Sequence, residues 1–241
     1  NLVEGIVSEL KEEIEEGWCE VQLHPNGGQW CSDEALLQMK EYALEHGMHI
    51  HLHLLETKYQ REYAMRTWGK NFIKHYNDIG FLGPWVSFAH SVYMDDEDLR
   101  LIKESGAVLV NNPSSNLRLR SGSFRINKVH ELGINAGIGL DGCAYDDDQD
   151  YLREIRTAWL NNSITGVNGG VDYMKVLKMA TSGGAKIEGK KLSEGVIEVG
   201  RNADLTLIDV NKLYRPYADS YIDPLALLVQ KATRDYVEMT I

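Results

Sequence analysis

Five times between residues 19 and 161, a short β-forming run is followed by a longer segment whose apolar residues recur at helical spacing. Strands joined through helices predict βα units and a parallel sheet, because parallel neighbours need a crossover of helix length. The runs are residues 19–23, 48–54, 86–89, 107–111 and 134–140. The segments between and after them are 32–46, 59–76, 95–104, 126–132 and 151–161. Ser32-Asp33-Glu34 supplies a cap and dipole-favourable charges, and Gly47 and Gly106 end their helices. Leu152, Ile155 and Trp159 form the inner stripe of the last segment.

The style changes further on. After a helix over 173–180, residues 194–209 alternate in short strands and turns, and 236–241 is again strand-like. This predicts a boundary near Lys191, with residues 1–191 forming one unit and 192–241 a second. At the other end, Glu9, Glu12, Glu13, Glu15 and Glu16 read as the solvated face of an acidic helix over 8–16.

Composition narrows the function classes. A chain of 241 residues, 43% hydrophobic, has material for a substantial core. Its formal charge of -11 repels a phosphate backbone, so nucleic acid is not an expected partner. The longest apolar runs, 107–110 and 225–229, fall far short of the roughly 20 residues that cross a bilayer, so no membrane segment is expected. Asn1-Leu2-Val3-Glu4-Gly5 carries no basic or apolar leader and reads like the middle of a longer protein. Cys19, Cys31 and Cys143 form no C-x-x-C pair, which points to a reducing cytoplasm rather than to disulfides or a zinc knuckle.

The chemically able residues sit where the predicted strands end, the rim on which parallel barrels build active sites. His53 ends one strand and is followed by Glu56-Thr57; His90 ends the next; Asp141 ends the last of the series. His-x-x-Glu lets an imidazole face a metal while the carboxylate reaches toward substrate. Such a pair occurs often by chance, so its weight comes from company and position.

In order, His53-Leu54-Leu55-Glu56-Thr57, Ala89-His90-Ser91, Asn112-Pro113-Ser114-Ser115-Asn116-Leu117-Arg118-Leu119 and Gly139-Leu140-Asp141-Gly142 resemble the amidohydrolase superfamily. Within it they look like the chlorohydrolase and aminohydrolase branch, whose members act on triazines, thiomethyl- and homocysteinyl-adenosine, guanine-like bases and pterins. Residues 194–205 are similar to that family's returning β-sandwich segment, so the match runs along nearly the whole chain. The resemblance implies a (β/α)₈ TIM-type barrel, with strands 4 to 8 present, plus part of a small β-sandwich. It implies that His53 and Asp141 bind one divalent metal, Zn(II) with Fe(II) as the alternative. Asp141 would also take the proton of the attacking water, Glu56 would shuttle it, and His90 would hydrogen-bond the attacking oxygen without ligating.

Two departures limit what the resemblance implies. The family's His-x-His at the first barrel strand has no match, and His51, on the same strand face as His53, reads as barrel interior. The expected chain is therefore the C-terminal portion of a longer protein, inactive alone. After Asp141 the branch commonly shows Ser-Asn-Asn, whereas this chain has Cys143 followed by an acidic run to Asp150. Those carboxylates either recognise a cationic group or, the weightier reading, start a helix.

His24, at the inferred fourth strand's end, is a candidate substrate contact, as are Trp30 and Cys143; Cys31 stands beside Trp30. For Trp30, packing onto its own helix is the commoner fate. His46, His75 and His130 lie on helices and read as solvent or packing groups. Residues 112–116 are expected to shape a loop, with Pro113 fixing backbone and Asn116 bonding locally, marking the family rather than the chemistry. The expected activity is hydrolysis of a cyclic amidine, most simply deamination of a small nitrogen heterocycle. The alternatives are release of chloride or an alkylamine, or a metal-free scaffold relative; self-association is left open.

Overall fold

The computed structural model describes residues 2–144, 148–163, 170–187 and 195–241. Helices α1 (Leu2–Glu9) and α2 (Lys11–Glu15) lead into an extended stretch and one 3₁₀ turn, Gly28–Trp30. The body follows as α3 (Asp33–His46), β1 (Ile50–Leu54), α4 (Lys58–Trp68), α5 (Phe72–Asp78), β2 (Val86–His90), α6 (Asp96–Ser105) and β3 (Val108–Asn111). It continues with α7 (Pro113–Arg118), α8 (Ile126–Glu131), β4 (Ala136–Ile138), α9 (Tyr151–Asn162) and α10 (Tyr173–Lys178), which runs into a π turn at Met179–Gly183. Then come β5 (Thr206–Ile208), α11 (Val210–Tyr214), α12 (Pro224–Lys231) and β6 (Val237–Thr240).

β1, β2, β3 and β4 form one parallel sheet in chain order, each strand beside its sequence neighbour. Alternation assigns the faces. Ile50, Leu52 and Leu54 of β1 and Val86 and Phe88 of β2 enter the main apolar core beneath the helices. His51 and His53, opposite Ser87 and Ala89, project from the other face. The helices end as their sequences predict. Ser32 Oγ accepts from Ala35 N at 3.2 Å, and Gly47 and Gly106 close α3 and α6 in the left-handed conformation.

Four expectations need correction. Residues 19–23 form no strand: only Leu23 with Ile50 and Gly27 with His53 make single parallel bridges. Pro25, between them, has no N–H for a ladder, and Asn26 turns away at φ 57°. The mostly helical stretch 59–76 is divided into two helices, because Gly69 takes φ 67° and Asn71 starts the second by capping Phe72 N. Residues 112–116 are no loop but the start of α7, with Pro113 at its first position. Among the described residues of the 194–209 region the single strand is β5, paired antiparallel with β6 beside a small core of Leu213, Leu227 and Ala232. The boundary expected near Lys191 lies outside the described residues. No described helix is long and apolar enough to cross a membrane.

The π turn lies directly on β4. A Cβ added at Gly183 would sit 2.1 Å from the carbonyl oxygen of Ala136, a backbone atom with no rotamer to yield. Gly183→Ala is therefore expected to destabilise the fold by about 1–3 kcal/mol, read as a lowered urea midpoint. An unchanged midpoint would show that this approach is not tight in solution.

Candidate functional site

The ends of β1 and β2 and the segment after β4 converge on one rim. His53 reaches it by simple alternation from the face of β1 that turns away from the helices. Its Nδ1 donates to the Asn26 carbonyl at 2.8 Å, which leaves the Nε2 lone pair free. His90 does not arrive that way. By alternation it belongs with Val86 and Phe88, facing the helices, but its backbone takes φ 67° and swings the imidazole to the rim. Asp141 also stands at φ 67°, and Leu55 and Ser91 at 50° and 52°. Left-handed residues other than glycine are uncommon, and such a cluster marks backbone held in costly conformations by its surroundings.

Each group is braced. Fully buried Asn116 presents Oδ1 to His90 Nδ1 at 2.9 Å, and Asn112 Oδ1 accepts from the His90 backbone N–H at 3.2 Å. Ser115 Oγ donates to Asp141 Oδ2 at 2.6 Å, while Gly142 N donates to Oδ1 at 2.8 Å. Gln60 Oε1 accepts from the backbone of Glu56 at 2.6 Å and of Thr57 at 3.4 Å, and Ser121 Oγ lies 3.4 Å from Glu56 Oε1. His90 Nε2 sits 3.9 Å from Glu56 Oε2 and 3.8 Å from Asp141 Oδ2. These gaps exceed a direct hydrogen bond and leave room for a reacting atom between the groups.

A cleft of about 420 Å³ opens above them. Its walls include His53, Glu56, His90 and Asp141 together with Trp30, Gln29, Tyr59 and Tyr63. Trp30 is 68% exposed, so it is not packed onto α3. His24 stands beside the site, its ring 5.3 Å from that of His53 and 5.8 Å from that of His51, but it is not part of the cleft wall. Cys143 is exposed, with Gln149 Nε2 2.6 Å from its sulfur, and does not line the cleft either. Asp150 caps α9 through Leu152 N and also accepts from Arg234 N at 2.9 Å, and Asp148 pairs with Arg153. These two carboxylates serve the start of α9. Tyr145, Asp146 and Asp147 lie outside the described residues.

Burial favours the neutral form of the histidines that stand beside and below the rim, His24, His51 and His49. Burial, then the neighbouring histidines, pushes His51 down to about 4, and its Nδ1 lies 2.7 Å from Ser87 Oγ. Burial, then His53, lowers His24. Below them, His49 is 4% exposed, its Nε2 has no partner, and burial pushes it down to about 4. An unfolded His49 titrates near 6.5, so between pH 6.5 and 4 the unfolded chain binds a proton that the folded chain refuses. Stability contributed by neutral His49 is therefore lost as pH falls through that window, by about 2 kcal/mol at pH 5. In His49→Phe the urea midpoint is expected to fall less between pH 7 and 5 than in the parent; an equal fall would exclude His49 as the source.

Sequence reasoning missed Gln29, Gln60, Tyr59 and Tyr63, which no motif flags. It also undervalued Ser115 and Asn116, whose partners are distant in the chain.

The family model described as Amidohydrolase family matches residues 2–239. The chain belongs to the amidohydrolase family. It is 35% identical over 218 residues to a 5'-deoxyadenosine deaminase of Methanosarcina mazei, covering 90% of this chain and 49% of that protein. It is 34% identical over 223 residues to a 5-methylthioadenosine/S-adenosylhomocysteine deaminase of Caldanaerobacter subterraneus subsp. tengcongensis, covering 92% and 52%. The chain thus spans about half the length of the curated relatives it matches. An adenosine deaminase from Xanthomonas campestris with bound zinc superposes with a TM-score of 0.85 at 26% identity, covering 95% of this chain and 53% of that one. A zinc-complexed atrazine chlorohydrolase from Arthrobacter aurescens, 22% identical, shares the fold with a TM-score of 0.83 over 99% of this chain and 54% of its own. The four parallel strands with their helices are accordingly part of this amidohydrolase family's (β/α) barrel, as the resemblance implies.

The residues present suit a divalent ion. His53, His90 and Asp141 each offer a ligand atom, all within 4.8 Å of one another. Two imidazoles and a carboxylate are a donor set of the kind that zinc accepts.

Proposed function

We propose that the protein is a metal-dependent hydrolase of cyclic amidines that deaminates a nitrogen heterocycle of the purine, pterin or triazine kind. One observation supports this above others: two carboxylates, Glu56 and Asp141, face a single imidazole nitrogen of His90 across gaps of 3.9 and 3.8 Å, beside the free Nε2 of His53. Three of the four relatives named above are deaminases of adenosine-type compounds and the fourth, at lower identity, is a chlorohydrolase, which favours ammonia over chloride as the leaving group.

His53 and Asp141 would hold one ion, Zn(II) in preference to Fe(II), completed by ligands from the rest of the barrel. When bound, such an ion lowers the pKa of water to about 7 and so supplies a nucleophile at neutral pH. Asp141 accepts the proton of that water. Glu56 takes this proton over and gives it to a ring nitrogen as the carbon is attacked; the second proton, from the newly bonded hydroxyl, passes through the same two carboxylates to the departing amine, so both return to their starting charge. His90 hydrogen-bonds the attacking oxygen at Nε2 and keeps it between the two carboxylates. Trp30 and Tyr59 offer flat apolar surface to the ring at the mouth of the cleft; His24 and Cys143 would contact it only after rearrangement. The unpaired Cys19, Cys31 and Cys143 favour a reducing cytoplasm. The acidic charge argues against nucleic acid as a partner.

The test is metal analysis of the full-length protein, followed by ammonia release from adenosine-type nucleosides, guanine, pterins and amino-triazines. Bound metal with ammonia from at least one substrate is expected. Chloride or alkylamine release alone would replace the deaminase reading, and a metal-free protein inert to the whole panel would replace the enzyme by a scaffold.

A further inference from the structure

We propose that Asn116 and Ser115, in the first turn of α7, are positioning residues that set the direction and protonation pattern of His90 and Asp141. The proposal deepens the hydrolase reading and rests on it only where turnover is measured. Asn112-Pro113-Ser114-Ser115-Asn116 thus acts in the chemistry, although sequence reasoning assigned it no chemical part.

Three neighbouring side chains meet two rim groups from different strands. Asn112 would be the natural cap of α7, yet its side chain caps nothing and instead accepts from the His90 backbone N–H at 3.2 Å. That bond holds the peptide of a residue standing at φ 67°. One turn on, Asn116 Oδ1 faces His90 Nδ1 at 2.9 Å, and between them Ser115 Oγ reaches Asp141 Oδ2 at 2.6 Å. Ser115 and Asn116 are fully buried. Pro113 makes the arrangement rigid, since its fixed φ starts the helix at once and brings positions 115 and 116 over the sheet.

The amide pays a visible cost for this placement: Asn116 Nδ2 is buried without a partner. Leaving a buried donor unmade costs about 1–3 kcal/mol, and local stability alone would favour an apolar side chain. Its placement fits a requirement at the other end of the amide. With the carbonyl oxygen facing Nδ1, the imidazole carries its proton there, and Nε2 presents a lone pair to the space between Glu56 and Asp141. The reverse tautomer would place an N–H there and pair it with a carboxylate instead of the attacking oxygen. Ser115, by occupying one lone pair of Asp141 Oδ2, leaves a defined direction for the proton that Asp141 takes up.

The experiment uses the full-length protein with ¹⁵N-labelled histidine, with Asn116→Leu and Asn116→Asp variants and Ser115→Ala. In the parent, the His90 imidazole is expected to show a protonated Nδ1 and an unprotonated Nε2 in long-range ¹H–¹⁵N spectra at pH 7.5. Asn116→Leu is expected to lose that pattern and to lower kcat about 10–100-fold with little change in KM, the scale of a removed supporting hydrogen bond at a metal site. Asn116→Asp, which still accepts from Nδ1, should restore the pattern and most of the turnover. Ser115→Ala should lower kcat while leaving the His90 pattern intact. The proposal is overturned if the parent shows Nε2 protonated, if Asn116→Leu keeps the parent pattern, or if Asn116→Asp is no better than Asn116→Leu. Failure of the hydrolase reading looks different: no substrate would turn over, and the histidine spectra would still respond to Asn116.

Discussion

In the full-length protein, Glu56→Gln is expected to lower kcat by about 10²–10⁴-fold, the usual worth of a positioned proton-transfer group, while metal content and KM stay near the parent's. The amide is nearly isosteric, so the backbone clamp from Gln60 and the contact with Ser121 can persist. What it cannot do is take a proton from water and hand it to the ring nitrogen and the amine. Glu56 is not among the three residues whose ligand atoms cluster within 4.8 Å, which separates its loss from loss of metal. Equilibrium metal analysis and steady-state kinetics check both halves of the expectation. Unchanged turnover would remove Glu56 from the mechanism.

Asp141→Asn is expected to do more, because the carboxylate is asked to hold the ion and to accept a proton. Metal retained after dialysis should drop, and kcat should fall by at least about 10³-fold, without recovery when excess Zn(II) restores occupancy. The reason is electrostatic: an amide carries no charge to balance a divalent ion and is no base at neutral pH. Ser115 and Gly142 N would still hold the side chain in place, so the effect is chemical rather than a misplacement. Full recovery in excess metal would mean that Asp141 is a ligand and nothing else, and another base would have to be found.

Much of the fold was readable because its signals are local. Gly47 and Gly106 end helices where a residue with φ > 0 is needed, and Ser32 caps α3, all within a few residues of the effect. β1 to β4 follow from short apolar runs between helical segments, and His53 reaches the site by the two-residue period alone. The misses are where local rules compete. The apolar run at 19–23 reads as a strand, but Pro25 removes a donor and Asn26 turns the chain, leaving two bridges. The stretch 59–76 reads as mostly helical, and Gly69 divides it into two helices.

The candidate groups were legible along the chain: His53, His90 and Asp141 stand at the ends of predicted strands and Glu56 just after one, and the structure brings all four to one cleft. Their aim was not. His90 has the parity of a residue facing the helices, and only a left-handed backbone, held by Asn112 from the next βα unit, turns it toward Glu56 and Asp141. Likewise Asn116 and Ser115 find their partners 26 residues away in opposite directions along the chain, at His90 and Asp141. Residue type and spacing are properties of neighbours in sequence. The conformation of a strained residue and the partner of a buried amide are set by whichever segments the parallel sheet brings alongside, and the tertiary structure alone decides those.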